Sequence, residues 1–368
     1  MWKKILKHLF LILNIAVAAG LGLAVAGFYI SPVHAWLPAF FSFLFPFFLL
    51  LNLFFIIFWI IQRKKWFVLS LIMVLCSWEP LMACYQFPLF KTKKINKGYW
   101  ISLMTYNVRV FNRYNWTKDP ESGKKIIDFL VAKNTDVICL QEFYSSNKGN
   151  FSTQKICQAF SRYKYSFVHL IVTSASGNYG LAIFSKYPVV NRGVIRYPGT
   201  VNASIFVDIA VSRDTLRIYN NHLQSIHLLS SHYRMIDTLS LNYGDKEIAQ
   251  FKNIFSRFIN ASKKRAIQAR LLKDHVKQCR FPVIVCGDFN DTPYSYTYQV
   301  VHRGLKDVFV ESGIGSGGTY FGIFPSFRID YIFHSKDLLA YRLKIFKLPF
   351  SDHYPMQCGF TWKPRYSN

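Results

Sequence analysis

Acidic residues are scarce in this chain. It holds 19 Asp and Glu against 45 Lys and Arg, a formal net charge of +26 over 368 residues. Residues 1–97 contribute +9 and the remainder +17. A balance this basic points toward phosphate-bearing partners: nucleic acid, anionic lipid head groups or phosphorylated small molecules. Paired-cysteine motifs are also missing. The seven cysteines (76, 84, 139, 157, 279, 286, 358) contain no C-x-x-C and no metal-ligand spacing, so no disulfide framework is expected. Cys139 and Cys286 sit in apolar, strand-like runs as small core residues. No G-x-S-x-G and no H-E-x-x-H occurs, which leaves out the serine-hydrolase elbow and the zincin site. Gly313, Gly315 and Gly318 satisfy G-x-G-x-x-G, but no strand leads into them and no helix follows, so a dinucleotide site is not expected.

Charge is absent from long stretches of the first ninety residues. Ile5–Ile30 and Leu37–Ile61 are apolar runs, and Trp66–Phe87 is a third, interrupted by Glu79-Pro80. A hydrocarbon core of about 30 Å takes about 20 residues of helix to cross, so two to three transmembrane helices are expected. Basic residues stand at the start of the first run, at Lys3, Lys4 and Lys7, and after the second, at Arg63-Lys64-Lys65, whereas Ser31–Trp36 between them has none. The positive-inside rule places both ends of that hairpin in the cytoplasm. A third crossing then carries the rest of the chain to the extracytoplasmic side of an inner or plasma membrane. Lys91, Lys93, Lys94 and Lys97 pull the other way. Ala24-Val25-Ala26 resembles a signal-peptidase site, but cleavage there would leave two spans.

The expected organisation is a membrane module at 1–90, a basic linker at 91–98 and a catalytic domain at 99–368. In the last, eleven short apolar runs read as strands, from Ile101–Asn107 to Pro355–Phe360. Helical patterns fall at Lys124–Lys133, Thr153–Ser161, Lys246–Gln278 and Tyr296–Arg303. Many strands with few helices suggest two packed sheets flanked by helices. Lys246–Gln278 is amphipathic and strongly basic: its polar face is either simply solvated or lies on anionic lipid or a phosphorylated substrate.

Polar signatures close the strand-like runs in a fixed order: Thr105-Tyr106-Asn107-Val108-Arg109, Gln141-Glu142, Asn220-Asn221-His222-Leu223, Gly287-Asp288-Phe289-Asn290, Arg328-Ile329-Asp330-Tyr331 and Ser351-Asp352-His353. Each alone reads as a turn or cap. Together, over roughly residues 99–362, they resemble the endonuclease–exonuclease–phosphatase family, which includes DNase I, AP endonucleases, neutral sphingomyelinases and inositol-polyphosphate 5-phosphatases. The resemblance implies a four-layer α/β/β/α sandwich of two mixed sheets with the site on loops at one end. It also implies roles. Glu142, assisted by Asn107, and Asp352 would serve a metal. His353 would contact the scissile phosphate and move protons, oriented by Asp330. Asp288 and Asn290 would position the attacking water and hold a phosphate oxygen. His222 resembles a second histidine absent from the AP endonuclease branch, Arg109 a phosphate contact, and Asn178 a residue that steadies His222 at the phosphate.

The residue inventory favours the same chemistry. Hard carboxylate and amide oxygens suit Mg²⁺ or Mn²⁺, and phosphoester cleavage needs charge neutralisation on the phosphoryl oxygens. The expected activity is metal-dependent phosphoester hydrolysis at a membrane. A phospholipid head group or small phosphoester is the leading substrate and DNA or RNA the alternative. The string Arg328-Ile329-Asp330-Tyr331 departs from the tryptophan–cysteine–aspartate–arginine string of 5-phosphatases. A catalytically inactive adaptor would be expected to have lost Glu142, Asp288 or His353, and all three are present. Tyr320, Phe321, Phe324 and Phe327 are candidates for an aromatic rim. His227 and His232 support no metal site, and no obligate protein partner is evident.

Overall fold

Period-two alternation builds two six-stranded sheets. The first contains β1 (Ile101–Asn107), β2 (Val137–Ser145), β3 (Tyr165–Ser174), β4 (Gly177–Ser185), β11 (Leu338–Ile345) and β12 (Met356–Trp362), in the order β11-β12-β1-β2-β4-β3. The second contains β5 (Val189–Arg196), β6 (Ala203–Val211), β7 (Asp214–His222), β8 (Val283–Asp288), β9 (Lys306–Asp307) and β10 (Asp330–His334), in the order β5-β6-β7-β8-β10-β9. This computed structural model describes residues 2–87, 101–146, 149, 151–174, 177–226, 245–321 and 327–364. The linker 91–98, His227, His232 and Phe324 lie outside the described residues. Two compact units emerge: Met1–Tyr85 with Ile226–Ile267 and Asp291–Val300, and Gln86–Ser225 with Gln268–Asn290 and Val301–Asn368.

In the second unit, one set of alternate residues fills the space between the sheets: Leu103, Val137, Ile205, Ile218, Cys286 and Phe360 are all buried there. The opposite set on the first sheet, Met104, Tyr106, Ile138 and Leu140, packs under α6 (Ser122–Lys133) and α7 (Thr153–Ala159) through Ile126, Leu130 and Ile156. Burying each such aliphatic side chain contributes roughly 1.5–3 kcal/mol. Sheet two carries its own helical cover, where Tyr219 Oη meets His275 Nδ1 at 2.9 Å on α8 (Asp245–Lys277). Two mixed sheets flanked by helices give the four-layer sandwich that the resemblance implies.

The first unit is helical. α1 (Trp2–Tyr29) is the one unbroken helix among the described residues that is long and apolar enough to cross a membrane. The second apolar run divides into α2 (Trp36–Phe43) and α3 (Phe45–Ile61), bent by 68°, and the third into α4 (Phe67–Cys76) and α5 (Trp78–Cys84), bent by 63°. Proline explains both breaks. Pro46 and Pro80 lack the N–H and clash with the carbonyl four residues earlier, so the helices part at Leu44 and Ser77. A buried polar clamp ties the bundle: Asn14 donates to Ser70 Oγ at 2.6 Å and accepts from Trp59 Nε1 at 2.9 Å.

Candidate active site

Strand direction brings the chemistry together. β1 runs parallel to β2, and β7 parallel to β8, so Asn107, His222 and Asp288 finish their strands at one end of the sandwich. β10 and β12 run antiparallel to β8 and β1 and begin at that end. Asp330 is thereby registered opposite Asp288, and His222 beside it. His353 lies three residues before β12. Glu142 reaches the cleft through a β-bulge: the pairing with β4 slips between Leu140 and Phe143, and Glu142 takes φ +49°. Phe143 thus occupies the outer core face that regular alternation would have assigned to Glu142.

Glycine is required at one position. Gly287 has φ +129°, and a Cβ there would lie 2.1 Å from the carbonyl oxygen of Asn221. Below the cleft, Gln141 Nε2 donates to Asn220 Oδ1 at 2.6 Å, and Asn220 Nδ2 donates to the carbonyls of Leu140 and Ala182. These two amides staple the sheets together under the site.

Within the cleft, His353 Nδ1 meets Asp330 Oδ2 at 2.9 Å, and its Nε2 lies 3.7 Å from Asp288 Oδ2. His222 Nε2 sits 3.7 Å from Glu142 Oε1 and 3.8 Å from Asp288 Oδ2; this nitrogen is buried without a hydrogen-bond partner in the protein. Asn107 Nδ2 donates to Asp288 Oδ2 at 2.9 Å and to Glu142 Oε1 at 3.2 Å. It therefore presents its NH₂, not its oxygen, to the carboxylates. Asn290 donates its backbone N–H to Asp288 Oδ1 at 2.8 Å and its Nδ2 to the Leu223 carbonyl at 3.0 Å.

Arg109 pairs with Asp352, Nε to Oδ2 at 3.2 Å, and lies over the Trp116 ring at 4.4 Å. It is aimed by a left-handed turn, Arg109–Asn112, with φ between +43° and +55° and no glycine. Such a conformation costs roughly 1–2 kcal/mol per residue. Packing of Phe111 on Phe143 and Phe151 holds it, as do the bonds from Asn112 to Thr117 and Asp119. Asn178 is not joined to His222; it pairs along β4 with Ser145 and Thr173.

Burial sets the electrostatics. It pushes the Asp288 carboxyl up to about 6, with Asp330 adding to the rise and His353 opposing it. Burial alone would lower the His353 imidazolium, yet Asp330, Asp288 and Asp352 together hold it well above its ordinary value. Burial also raises Asp352, and the Glu142 carboxylate adds to that rise.

Two groupings offer metal-ligand types. Asp288, Asp330 and His353 bring ligand atoms within 4.8 Å of one another, but His353 Nδ1 is already spent on Asp330. Glu142 and Asp352 are the more open acids, their side chains 33% and 17% exposed. Their hard oxygens and the carboxylate crowding around Asp352 fit a divalent cation that retains several waters.

The sequence reading missed Thr319. Its buried hydroxyl accepts the backbone N–H groups of Ile329 and Asp330 at 3.1 Å each and so fixes the start of β10. Nothing local marks it, because it sits in a glycine-rich stretch that the reading set aside. Of the expected rim, the Tyr320 ring meets His353 edge-on at 5.1 Å, and Phe321 is 64% exposed beside Tyr354.

Residues 104–353 match the Endonuclease/Exonuclease/phosphatase family, and residues 7–84 match a domain of unknown function. No curated protein matches the sequence. Among solved structures, the chain is similar to a family protein from Bacteroides thetaiotaomicron at 15% identity, covering 73% of this chain and 98% of that one with a TM-score of 0.54. It is similar to the catalytic domain of human Nocturnin with bound sulfate at 20% identity, covering 76% and 99% with a TM-score of 0.52. A family protein from Beutenbergia cavernae gives 16% identity, 72% of each chain and 0.53. At these identities the likeness is one of fold. The match over residues 104–353, joined to the two-sheet sandwich and its cleft, leads to one conclusion: the chain belongs to the endonuclease/exonuclease/phosphatase family, whose members are hydrolases acting on phosphoester bonds.

Proposed function

We propose that this protein is a membrane-anchored, divalent-metal-dependent phosphoesterase acting on a phospholipid head group or a small phosphoester. The observation that carries the reading is the placement of His353 between Asp330 and Asp288 in a cleft that also gathers Glu142, His222 and Asn290. Asp330 fixes the ring through Nδ1, leaving Nε2 for a phosphoryl oxygen. With its imidazolium favoured, His353 supplies positive charge and a proton there. Asp288, raised to about 6, is poised near neutrality to take a proton from the attacking water. Asn290 and His222 add contacts to phosphoryl oxygens. Glu142 and Asp352, organised by Asn107 and Arg109, would hold Mg²⁺ or Mn²⁺, which supplies charge neutralisation on the phosphoryl group.

Membrane attachment has separate support inside the helical unit. The end of α1 opposite its lysines packs against later segments: Phe28 meets Tyr298 at 6.3 Å, and Phe40 of α2 meets Phe255 at 5.1 Å. By the positive-inside rule, the lysine end is cytoplasmic, so these segments belong on the extracytoplasmic side. Along the first part of α8, Ile248, Phe251, Lys252, Lys264 and Ile267 are exposed, basic and apolar side chains of the kind that meet anionic lipid. The division into a membrane module at 1–90, a linker at 91–98 and a catalytic domain at 99–368 remains our proposal for the chain as read in sequence. A reporter fused after Asn368 should be active only in an extracytoplasmic form; activity of a cytoplasm-restricted reporter would overturn the orientation.

The central test uses full-length protein in detergent against plasmid DNA, single-stranded RNA, sphingomyelin, phosphoinositides and a bis-aryl phosphate. Hydrolysis should vanish in EDTA and return with Mg²⁺ or Mn²⁺, with lipid or small esters turned over. Undiminished activity in chelator would remove the metal, and turnover confined to DNA or RNA would make the protein a tethered nuclease.

A further inference from the structure

The second unit carries a basic groove at the pole of the sandwich remote from the catalytic cleft. It opens where β8 begins at Val283, where β10 gives way to Ser335 and where β12 ends at Trp362. β8 alone, at 3.3–3.4 Å per residue, separates it from Asp288 by about 17 Å. The groove measures about 960 Å³ and is lined by Lys273, Lys277, Arg280, Arg303, Lys336 and Lys363. Asp337 is the one acid among its lining residues. Among the described residues none of the six cations forms an ion pair with a carboxylate.

We infer that this groove binds an organic polyphosphate of nucleotide size, independently of the catalytic cleft. Several observations converge on that chemistry. The volume falls within the range of small-molecule sites, up to about 1,000 Å³. Six cations in one concavity match a ligand carrying several phosphate charges, since charge-assisted contacts to phosphate are the strong ones. Phe281 is 40% exposed at the groove and offers a flat apolar face for a base. The Trp362 indole N–H, also in the lining, is buried with no protein acceptor. The Lys273 ammonium, tethered to the carbonyls of Val301 and Arg303, is pushed downward by burial and by its cationic neighbours Lys277 and Arg303. A polyanion would relieve that crowding. A planar membrane surface would not fill a concavity of this size.

The experiment is a titration of full-length protein in detergent, in EDTA so that no ester is turned over. The probes are ATP and inorganic tripolyphosphate, with anionic vesicles as competitor. The variants are Lys277→Glu/Arg280→Glu and, separately, Lys336→Glu, all at exposed positions. Wild type should bind one ATP. Each variant should weaken binding by about tenfold or more, the scale of one lost charge-assisted contact, while hydrolysis of the aryl ester with added metal stays unchanged. ATP held tighter than tripolyphosphate would assign Phe281 and Trp362 to the base, and equal affinity would reduce recognition to the phosphates; both outcomes support the site. ATP affinity unaltered in all variants would move binding elsewhere and overturn it. So would the absence of binding by either probe, or binding confined to vesicles.

Discussion

Replacing His353 by alanine is expected to lower kcat by about 10²–10⁴-fold, the range for a positioned acid–base group. The size follows from the geometry. His353 is 5% exposed, and no water can take up its position between Asp330 and Asp288 with the same charge. Without the ring, Asp330 and Asp288 face each other across the cleft with nothing positive between them. The Asp288 carboxyl should then stay protonated to higher pH, since His353 is the neighbour that lowers it most, and its value as a base falls too. Asp330→Asn should do less, because it leaves the imidazole but loses its tautomer lock. Steady-state hydrolysis of a bis-aryl phosphate, with circular dichroism to confirm the fold, measures both. Turnover by His353→Ala at the wild-type rate would take this residue out of the mechanism.

Arg328→Met is expected to cost about 3–5 kcal/mol of stability, the penalty for breaking a buried ion pair from one side. Arg328 Nη1 lies 2.7 Å from Asp307 Oδ2, and both side chains are 1% exposed. The guanidinium is also sandwiched, 4.6 Å from the rings of Phe309 and of Tyr331. Asp307 meanwhile caps α9 (Val308–Ser312) by accepting from Phe309 N at 2.8 Å. Removing the arginine takes the guanidinium partner from a buried carboxylate. Arg328→Lys should not rescue it, because an ammonium cannot stack between two rings. Urea denaturation followed by tryptophan fluorescence gives the number. A midpoint unmoved by Arg328→Met would mean that the pair contributes nothing net. Within Arg328-Ile329-Asp330-Tyr331, then, the arginine supports the frame and the aspartate holds the His353 ring.

Much of the site was legible because its residues end strands, and strand ends are written locally. Asn107, His222, Asp288 and Asp330 each terminate or begin an apolar run that alternation identifies, and the parallel pairs bring those ends together. Glu142 was readable from its motif, but its orientation was not: the bulge is a property of pairing with β4, which β2 alone does not encode. The long-range partners were hidden for the same reason. Thr319 reaches Asp330 across a loop, and Asn220 reaches Gln141 across the space between the sheets. Arg109, expected at phosphate, lies against Asp352, held by a left-handed turn whose sequence, Arg-Val-Phe-Asn, contains no glycine to announce it. Apolar length in the first ninety residues fixed where helices form. The bends at Leu44 and Ser77 follow from Pro46 and Pro80, which run length alone does not weigh.

The register of β1 with β12 joins Ile101 to Phe360 and Thr105 to Met356. Synthesis proceeds from the N-terminus at about 5–20 residues per second, so roughly 250 residues, or on the order of 10–50 s, separate the appearance of these two strands. Throughout that interval one edge of β1 waits for its partner, and His353 has not yet been made. A nascent chain that already holds Glu142, His222 and Asp288 therefore still lacks His353. On the mechanism proposed above, hydrolytic capacity would arrive only when the last strand docks.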